Sequence, residues 1–190
     1  MQTSSLMEAR GQLLQPLQGE VLEIGFGTGL NLPFYQGVDL LYALEPSTEV
    51  WQLAQERVRQ TPFEVRHIQA RAEKLPFADQ SLDHIVSTWT LCSVQNLEQS
   101  LAELDRVLKP TGRLHLVEHV QWDNHQYLKR MQDMLTPVQK ILAEGCHLNR
   151  NIELALLKQG FHIAEKHYFE AEGLPKVARR MLLARADKRA

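Results

Sequence analysis

Three glycines spaced two residues apart follow an apolar stretch of the sequence and stand between two acidic residues. Gly25, Gly27 and Gly29 come directly after that stretch, which contains Glu23, and Glu45 ends the next apolar stretch. Glycines at this spacing let the backbone turn tightly and approach a bound nucleotide closely, because no Cβ atom intervenes. A carboxylate at the tip of a second strand suits the two hydroxyls of a ribose. These residues therefore indicate a cofactor that contains a nucleoside.

The glycine spacing argues against a dinucleotide cofactor. A dinucleotide site needs the pattern G-x-G-x-x-G, because its last glycine lets the pyrophosphate-binding helix pack closely on the strand. Leu30 occupies the place of that glycine, and the glycines read G-x-G-x-G instead. A short-chain dehydrogenase would also need a Tyr-x-x-x-Lys pair, and none of the four tyrosines has a lysine four residues later.

The segment from Glu23 to Gly29 resembles motif I of the class I methyltransferases that depend on S-adenosylmethionine (SAM). Residues 71–83 resemble the family segment that meets the adenine, although many relatives have aspartate in place of Arg71. The resemblance implies SAM as the cofactor and S-adenosylhomocysteine as the product. It also implies that Glu23 anchors the ammonium group, Asn31 opens the next helix, and the methyl group lies at the end of the fourth strand. The cofactor-binding residues that it implies are Glu23, Gly25, Gly27, Gly29, Asn31, Glu45, Pro46, Ser47, Ala72, Glu73, Thr88 and Leu91.

The resemblance continues beyond the cofactor half of the chain. Residues 116–120 and 144–150 are similar to the type 11 methyltransferases (ubiquinone/menaquinone-methyltransferase-like), in the branch that includes the alkyl-thiol methyltransferases. This family implies an α/β fold, a three-layer Rossmann-like sandwich around a seven-stranded, mostly parallel sheet whose last strand is antiparallel. The animal members carry an apolar N-terminal anchor that this sequence lacks, so no membrane anchor is predicted.

Apolar runs alternate with helical patterns along the chain, which predicts a parallel sheet with helices on both faces. Leucines at helical spacing predict a helix over residues 97–108, capped by Asn96 and stopped at residues 109–112. The insertion 121–149 should contain two short helices that meet at Thr136 and Pro137, and it should cover the substrate. No linker divides the chain, so residues 1–190 are predicted to form one domain. The predicted strands are 20–24, 40–44, 64–68, 83–87, 113–118, 161–169 and 177–186.

Composition narrows the range of partners. A formal charge of −2 gives no broad basic field for nucleic acid, and the amino-group methyltransferase loop Asn/Asp-Pro-Pro-aromatic is absent. No apolar run is long enough to cross a bilayer and no signal peptide is evident, so we expect a cytoplasmic protein. Cys92 and Cys146 lie far apart in sequence, which indicates two free thiols and neither a disulfide framework nor a metal site.

The sequence offers three candidate catalytic residues. His119 and His147 could act as general bases, since imidazole titrates in the useful range, and either could equally be structural. Glu118 could orient His119 or bind the substrate. A thiol acceptor hardly needs a base, because its ordinary pKa of about 8.5 leaves some thiolate at neutral pH.

The leading hypothesis is methyl transfer from SAM to a small, largely apolar acceptor, with a thiol as one candidate. The alternatives are a quinone carbon, a phospholipid amine, and a non-catalytic SAM-binding sensor or partner subunit. The sequence leaves the oligomeric state open.

Overall fold

The computed structural model describes residues 4–143 and 145–188. Within this part of the chain, seven strands form one sheet in the order β3-β2-β1-β4-β5-β7-β6. Their bounds are β1 Gln18–Ile24, β2 Gly37–Leu44, β3 Glu64–Ile68, β4 Leu82–Thr88, β5 Leu108–His119, β6 His162–Glu170 and β7 Arg180–Asp187. Strands β1 to β5 run parallel, whereas β7 is antiparallel to both of its neighbours, β5 and β6. The predicted fold class, with an antiparallel last strand, is confirmed.

The strands begin and end close to the predicted positions, with two differences. Residues 109–112, predicted to stop the helix before them, belong to β5, where they form a bulge between the pairs Leu82–Leu108 and His84–Arg113. The last strand begins only at Arg180, because residues Lys176–Ala178 form a short 3₁₀ turn before it.

Five α-helices are found among the described residues. They are α1 Ser4–Leu14, α2 Thr48–Arg59, α3 Leu97–Val107, α4 Gln126–Leu142 and α5 Ile152–Gln159. The predicted Asn96 cap is present, since its side chain accepts a hydrogen bond from the backbone N–H of Gln99. Ser47 caps α2 in the same way, accepting from the N–H of Val50. Asn31 differs from expectation, because only the 3₁₀ turn Leu32–Phe34 follows it and its side chain does not cap that turn.

The described residues of the insertion contain one helix, so the prediction of two helices meeting at Pro137 is wrong. Pro137 lies inside α4, and the hydroxyl of Thr136 donates to the carbonyl of Gln132 instead of capping a new helix. The fully buried amide of Gln132 bonds the backbone of Trp122 and of Val177, which holds the middle of α4 against the body of the protein. Tertiary contacts thus outweigh the helix-breaking tendency of one proline.

Side chains of the central strands alternate between two apolar layers. Leu22 and Ile24 of β1 pack in one cluster with α3 and α5, while Val21 packs in the other cluster with α1. Both faces of a parallel sheet are covered in this way, which accounts for the nearly continuous apolar runs of its strands. None of the helices described here has the length and apolar character that a membrane-spanning segment requires.

Candidate functional site

A cavity of about 860 Å³ opens at the carboxyl ends of the parallel strands. It lies where strand order reverses, between β1 and β4, which is the usual place for a ligand in an open α/β sheet. Its walls come from the loops after β1, β2, β3 and β4, from the last residue of β5, from α1, and from the end of α4.

The glycine turn after β1 forms one wall of the cavity. Gly25, Gly27 and Gly29 all have positive φ angles, of 63°, 58° and 75°. A Cβ atom on Gly25 would lie 2.1 Å from the Thr90 hydroxyl oxygen, so this glycine is needed for packing. A Cβ on Gly27 would meet nothing closer than the Gly25 carbonyl oxygen, at 3.8 Å, and Gly27 lines the cavity. Gly27 therefore keeps space open for a ligand.

Glu23 presents a buried carboxyl group to the cavity. Its oxygens accept hydrogen bonds from the Asn31 amide at 2.9 Å and from the Tyr35 hydroxyl at 2.6 Å. Burial raises the pKa of Glu23 to about 7, although both hydrogen bonds and the charge of Arg10 act in the opposite direction. A cationic ligand group would favour the ionised form.

Asn31 links Glu23 to the end of β4. Its amide nitrogen also donates to the Thr88 hydroxyl at 2.8 Å, while its carbonyl oxygen Oδ1 is buried without a partner among the described residues. An unsatisfied buried acceptor at a cavity wall is typical of a site completed by a ligand.

Glu45 stands at the tip of β2, as predicted, and is held by backbone groups. Its two oxygens accept from the N–H groups of Gly27 at 3.0 Å and of Ser47 at 2.9 Å. Each carboxylate oxygen has a second lone pair, so the group can still accept from ligand hydroxyls.

Ala72 and Glu73 line the opposite side of the cavity. One Glu73 oxygen accepts from the backbone N–H groups of Gln95 and Asn96, which ties this segment to the start of α3. Leu75 is buried in the core, and Phe77 packs partly buried against the same cluster.

Most of the predicted cofactor residues meet at the cavity. Those that line it are Glu23, Gly25, Gly27, Asn31, Glu45, Pro46, Ala72, Glu73 and Thr88. Gly29, Ser47 and Leu91 do not line it and instead shape the backbone around it.

Glu118 does not lie on the cavity wall, in contrast to the expectation that it orients His119 or binds the substrate. Its carboxylate is fully buried and accepts from the Ser87 hydroxyl and from the N–H groups of Thr90, Leu91 and Cys92. Burial raises its pKa, and these hydrogen bonds lower it. Glu118 therefore positions the loop after β4.

The two candidate histidines are found in different places. His119 ends β5, lines the cavity and is only 4% exposed, and neither ring nitrogen has a hydrogen-bond partner among residues 4–143 and 145–188. His147 lies away from this cavity, beside Pro137 and Lys140 on the outer side of α4. Burial lowers its pKa. Geometry thus favours His119 as the residue that meets a substrate.

Sequence reasoning missed several wall residues. Arg10 of α1 lines the cavity within electrostatic range of Glu23. The sequence signal for it is an arginine on the buried face of a helix, among Leu6, Ala9 and Leu13. Trp89 also lines the cavity, with a φ of 57°, a backbone strain that sequence does not reveal. Gln139 of α4 and the two cysteines also reach the cavity.

Comparison with known proteins agrees with this arrangement. The family described as "Methyltransferase domain" matches residues 22–116. Human thiol S-methyltransferase TMT1A is 32% identical over 80% of this chain and 63% of its own length. Phosphatidylethanolamine N-methyltransferase of Cereibacter sphaeroides is 28% identical over 90% of this chain and 81% of its own length. The chain spans just over half the length of the TMT1B relatives that it matches.

A solved structure shares the whole fold. The SAM-dependent methyltransferase from Methanosarcina mazei has a TM-score of 0.71 and 23% identity, with 99% of each chain covered. With the matched domain and the 32% identical relative, the sheet order and the glycine turn lead to one conclusion: the chain belongs to the type 11 family of class I SAM-dependent methyltransferases.

Proposed function

We propose that this protein transfers the methyl group of SAM to the sulfur of a small, largely apolar thiol. The observation that carries the proposal is the division of one cavity into two chemically different halves. The cofactor half is polar and contains Glu23, Gly27, Asn31, Glu45 and Glu73. The acceptor half is mostly apolar and contains His119, Leu142, Ala143, Cys146 and Leu148.

The cofactor half fits SAM at three points. The buried carboxyl of Glu23 suits the ammonium group, and Arg10 beside it suits the carboxylate of the same amino-acid moiety. Glu45 suits the ribose hydroxyls, and the open space at Gly27 admits the part of the ligand that lies against the glycine turn. Glu73 and the backbone of Ala72 suit the adenine edge. The unpartnered Oδ1 of Asn31 supports a ligand donor nearby.

The acceptor half fits a thiol. When bound, SAM supplies a methyl group activated by a sulfonium. The buried side chain of Leu148 gives this half an apolar wall that keeps water away from the reacting sulfur. The unpartnered imidazole of His119 can accept the thiol proton, so that the thiolate attacks the methyl carbon. Trp89 and Thr90 flank the cavity between the two halves.

The insertion 121–149 serves as the substrate cover in this proposal, within a single domain that spans residues 1–190. Gln139, Leu142 and Ala143 at the end of α4 already line the acceptor half, which supports that role. The partner is then a small-molecule acceptor that enters past α4.

The test is turnover with labelled SAM and a panel of small thiols, phenols, quinones and phospholipids, followed by release of S-adenosylhomocysteine. We expect methylation of apolar thiols, reduced about 10-fold at neutral pH by His119→Gln, because a thiol of ordinary pKa is already ionised to a few per cent. His147→Gln is the matched control, because that histidine lies outside the cavity. Turnover of quinones alone would show that the acceptor is a quinone and not a thiol. SAM binding without any turnover would favour a sensor or partner subunit.

One observation favours a second candidate, a phospholipid amine. The outward face of α4 exposes Tyr127, Met134, Val138, Ile141 and Leu142, and Leu142 also reaches the cavity. An apolar helix face beside the cavity mouth could rest on a lipid surface. Flotation with liposomes separates the cases: an enzyme for free thiols stays at the bottom of the gradient, and an enzyme for lipid amines floats.

A further inference from the structure

Two cysteines that are far apart in sequence meet in the acceptor half. The Sγ atoms of Cys92, in the loop after β4, and of Cys146, after α4, are 3.8 Å apart. Both thiols are free and both line the cavity. Cys92 is buried, whereas Cys146 is partly exposed, so a molecule in the cavity can reach Cys146 first.

Backbone contacts hold the two segments together. The N–H of His147 donates to the carbonyl of Cys92 at 2.9 Å. A Cβ on Gly145 would lie 3.0 Å from the Ser93 carbonyl oxygen, which shows how closely the chains approach. The Arg150 guanidinium donates to the carbonyls of Leu91 and Val94, both at 2.6 Å. The cysteines therefore face each other because the fold holds both of their segments.

The surroundings of the two thiols differ. The pKa of Cys146 is lowered by its contact with Cys92 and by the neighbouring His119. Contact with Cys146 and burial raise the pKa of Cys92. The His119 imidazole, which is buried, lies beside Cys146 and can stabilise its thiolate. The other charged groups near the pair are Glu118 and Arg150.

We propose that Cys146 and Cys92 form a thiol–disulfide exchange site for small organic disulfides that enter the cavity. The Cys146 thiolate attacks one sulfur of the disulfide, forms a mixed disulfide and releases the first thiolate, which takes up a proton. The Cys92 thiol then loses its proton and attacks the Cys146 sulfur. This step forms the Cys92–Cys146 disulfide and releases a second thiol.

The two steps balance without a further reactant. The two cysteines lose two electrons and two protons, and the small disulfide gains them to become two thiols. A low-molecular-weight thiol regenerates the reduced pair by the reverse chemistry. The exchange needs no SAM, so it does not depend on methyl transfer. It would, however, release a thiol inside the half of the cavity assigned to the acceptor.

The experiment treats the reduced protein with 2,2′-dithiodipyridine and measures both released thiopyridone and protein mass. The wild type should release two equivalents and become lighter by two hydrogens, without a retained adduct. Cys92→Ser should release one equivalent and keep one pyridylthio group, because nothing resolves the mixed disulfide. Cys146→Ser should react more slowly than the wild type, by about 10-fold or more, because only the buried thiol remains.

Two results would overturn the proposal. Wild-type protein that keeps two separate pyridylthio groups would show that the cysteines do not react with each other. A Cys146→Ser variant that reacts as fast as the wild type would show that Cys146 is not the attacking residue. Circular dichroism and SAM affinity of each variant show whether it is folded, so a folding defect is recognised independently of exchange. Loss of methyl transfer with exchange retained would count against the proposed function alone.

Discussion

Glu23 occupies a position that costs stability in the free protein. Its carboxyl group is 1% exposed, and burial raises its pKa from the ordinary 4.5 to about 7. The folded protein binds this proton more tightly than the unfolded chain does, so the contribution of Glu23 to the free energy of unfolding is greatest below pH 4.5. It falls by about 3 kcal/mol as the pH rises through about 7, where the buried group must ionise.

The first prediction concerns Glu23→Gln. At pH 8 the ligand-free variant should be more stable to urea than the wild type, by up to about 3 kcal/mol, and at pH 4 the difference should vanish. SAM affinity should fall, because the amide cannot balance an ammonium group. Urea titrations and calorimetry at both pH values check this. Equal pH dependence of stability in the two proteins would contradict the role given to Glu23.

The second prediction concerns Gly27→Leu. Its side chain would fill the cofactor half, where no atom lies within 3.8 Å of the Cβ position, and should abolish SAM binding in calorimetry. Gly19→Leu is the matched control, because Gly19 has a φ of 71° with nothing within 4 Å and lies outside the cavity. Both variants should be destabilised by about 1–2 kcal/mol, because a leucine at a positive φ strains the backbone. SAM affinity retained in Gly27→Leu would disprove the assignment of the turn.

The loop after β4 is held from two sides by different elements. Glu118 of β5 accepts from three of its N–H groups, and Arg150, just before α5, donates to the carbonyls of Leu91 and Val94. The loop also contains Trp89 in a strained left-handed conformation. Strain of this kind persists only where the surroundings fix the backbone firmly.

The third prediction concerns Arg150→Met, which would leave two carbonyls of this loop without their partner. It should destabilise the protein by about 2–4 kcal/mol and lower kcat, because Trp89 and Cys92 would shift. Arg59→Met is the matched control: it removes an exposed arginine that pairs with Glu56 on the surface of α2, and it should change stability by less than about 0.5 kcal/mol. Denaturation curves and kcat values for the two variants provide the check; similar losses would contradict the role of Arg150.

Local patterns predicted most elements and failed where distant contacts decide. Strand β3 and the start of α3 follow from apolar periodicity and the Asn96 cap alone. The continuity of α4 through Pro137 depends on Gln132 bonding residues from other segments. The same limit applies to the site. Gly27 and Glu45 are recognisable by spacing, whereas the meeting of Cys92 with Cys146 requires the folded chain.

For the molecule as a whole, the cavity joins parts of the chain from α1 to the 3₁₀ turn before β7. Arg10 near one end and Ala178 near the other both line it. A ligand that fills this space connects these parts and binds only to the folded state, so it stabilises the whole fold.

The fourth prediction follows from this linkage. S-adenosylhomocysteine at about 100 times its Kd should stabilise the protein by about 2.7 kcal/mol, which raises Tm by roughly 5–10 °C for a chain of this size. Differential scanning fluorimetry measures the shift. The Tm of Gly27→Leu should not change on addition of the ligand. An unchanged Tm for the wild type at saturating ligand would contradict the proposed cofactor.

The antiparallel strand β7 also sets an order of events during synthesis. One edge of β5 pairs only with β7, from Arg113–Asp187 to His119–Met181, so its partner is made about 70 residues later. At roughly 5–20 residues per second, the ribosome needs several seconds to deliver it. Until then the apolar edge of β5 is open to other nascent chains, and His119 has no fixed place. A chain released before residue 180 would therefore be aggregation-prone and have an incomplete acceptor half.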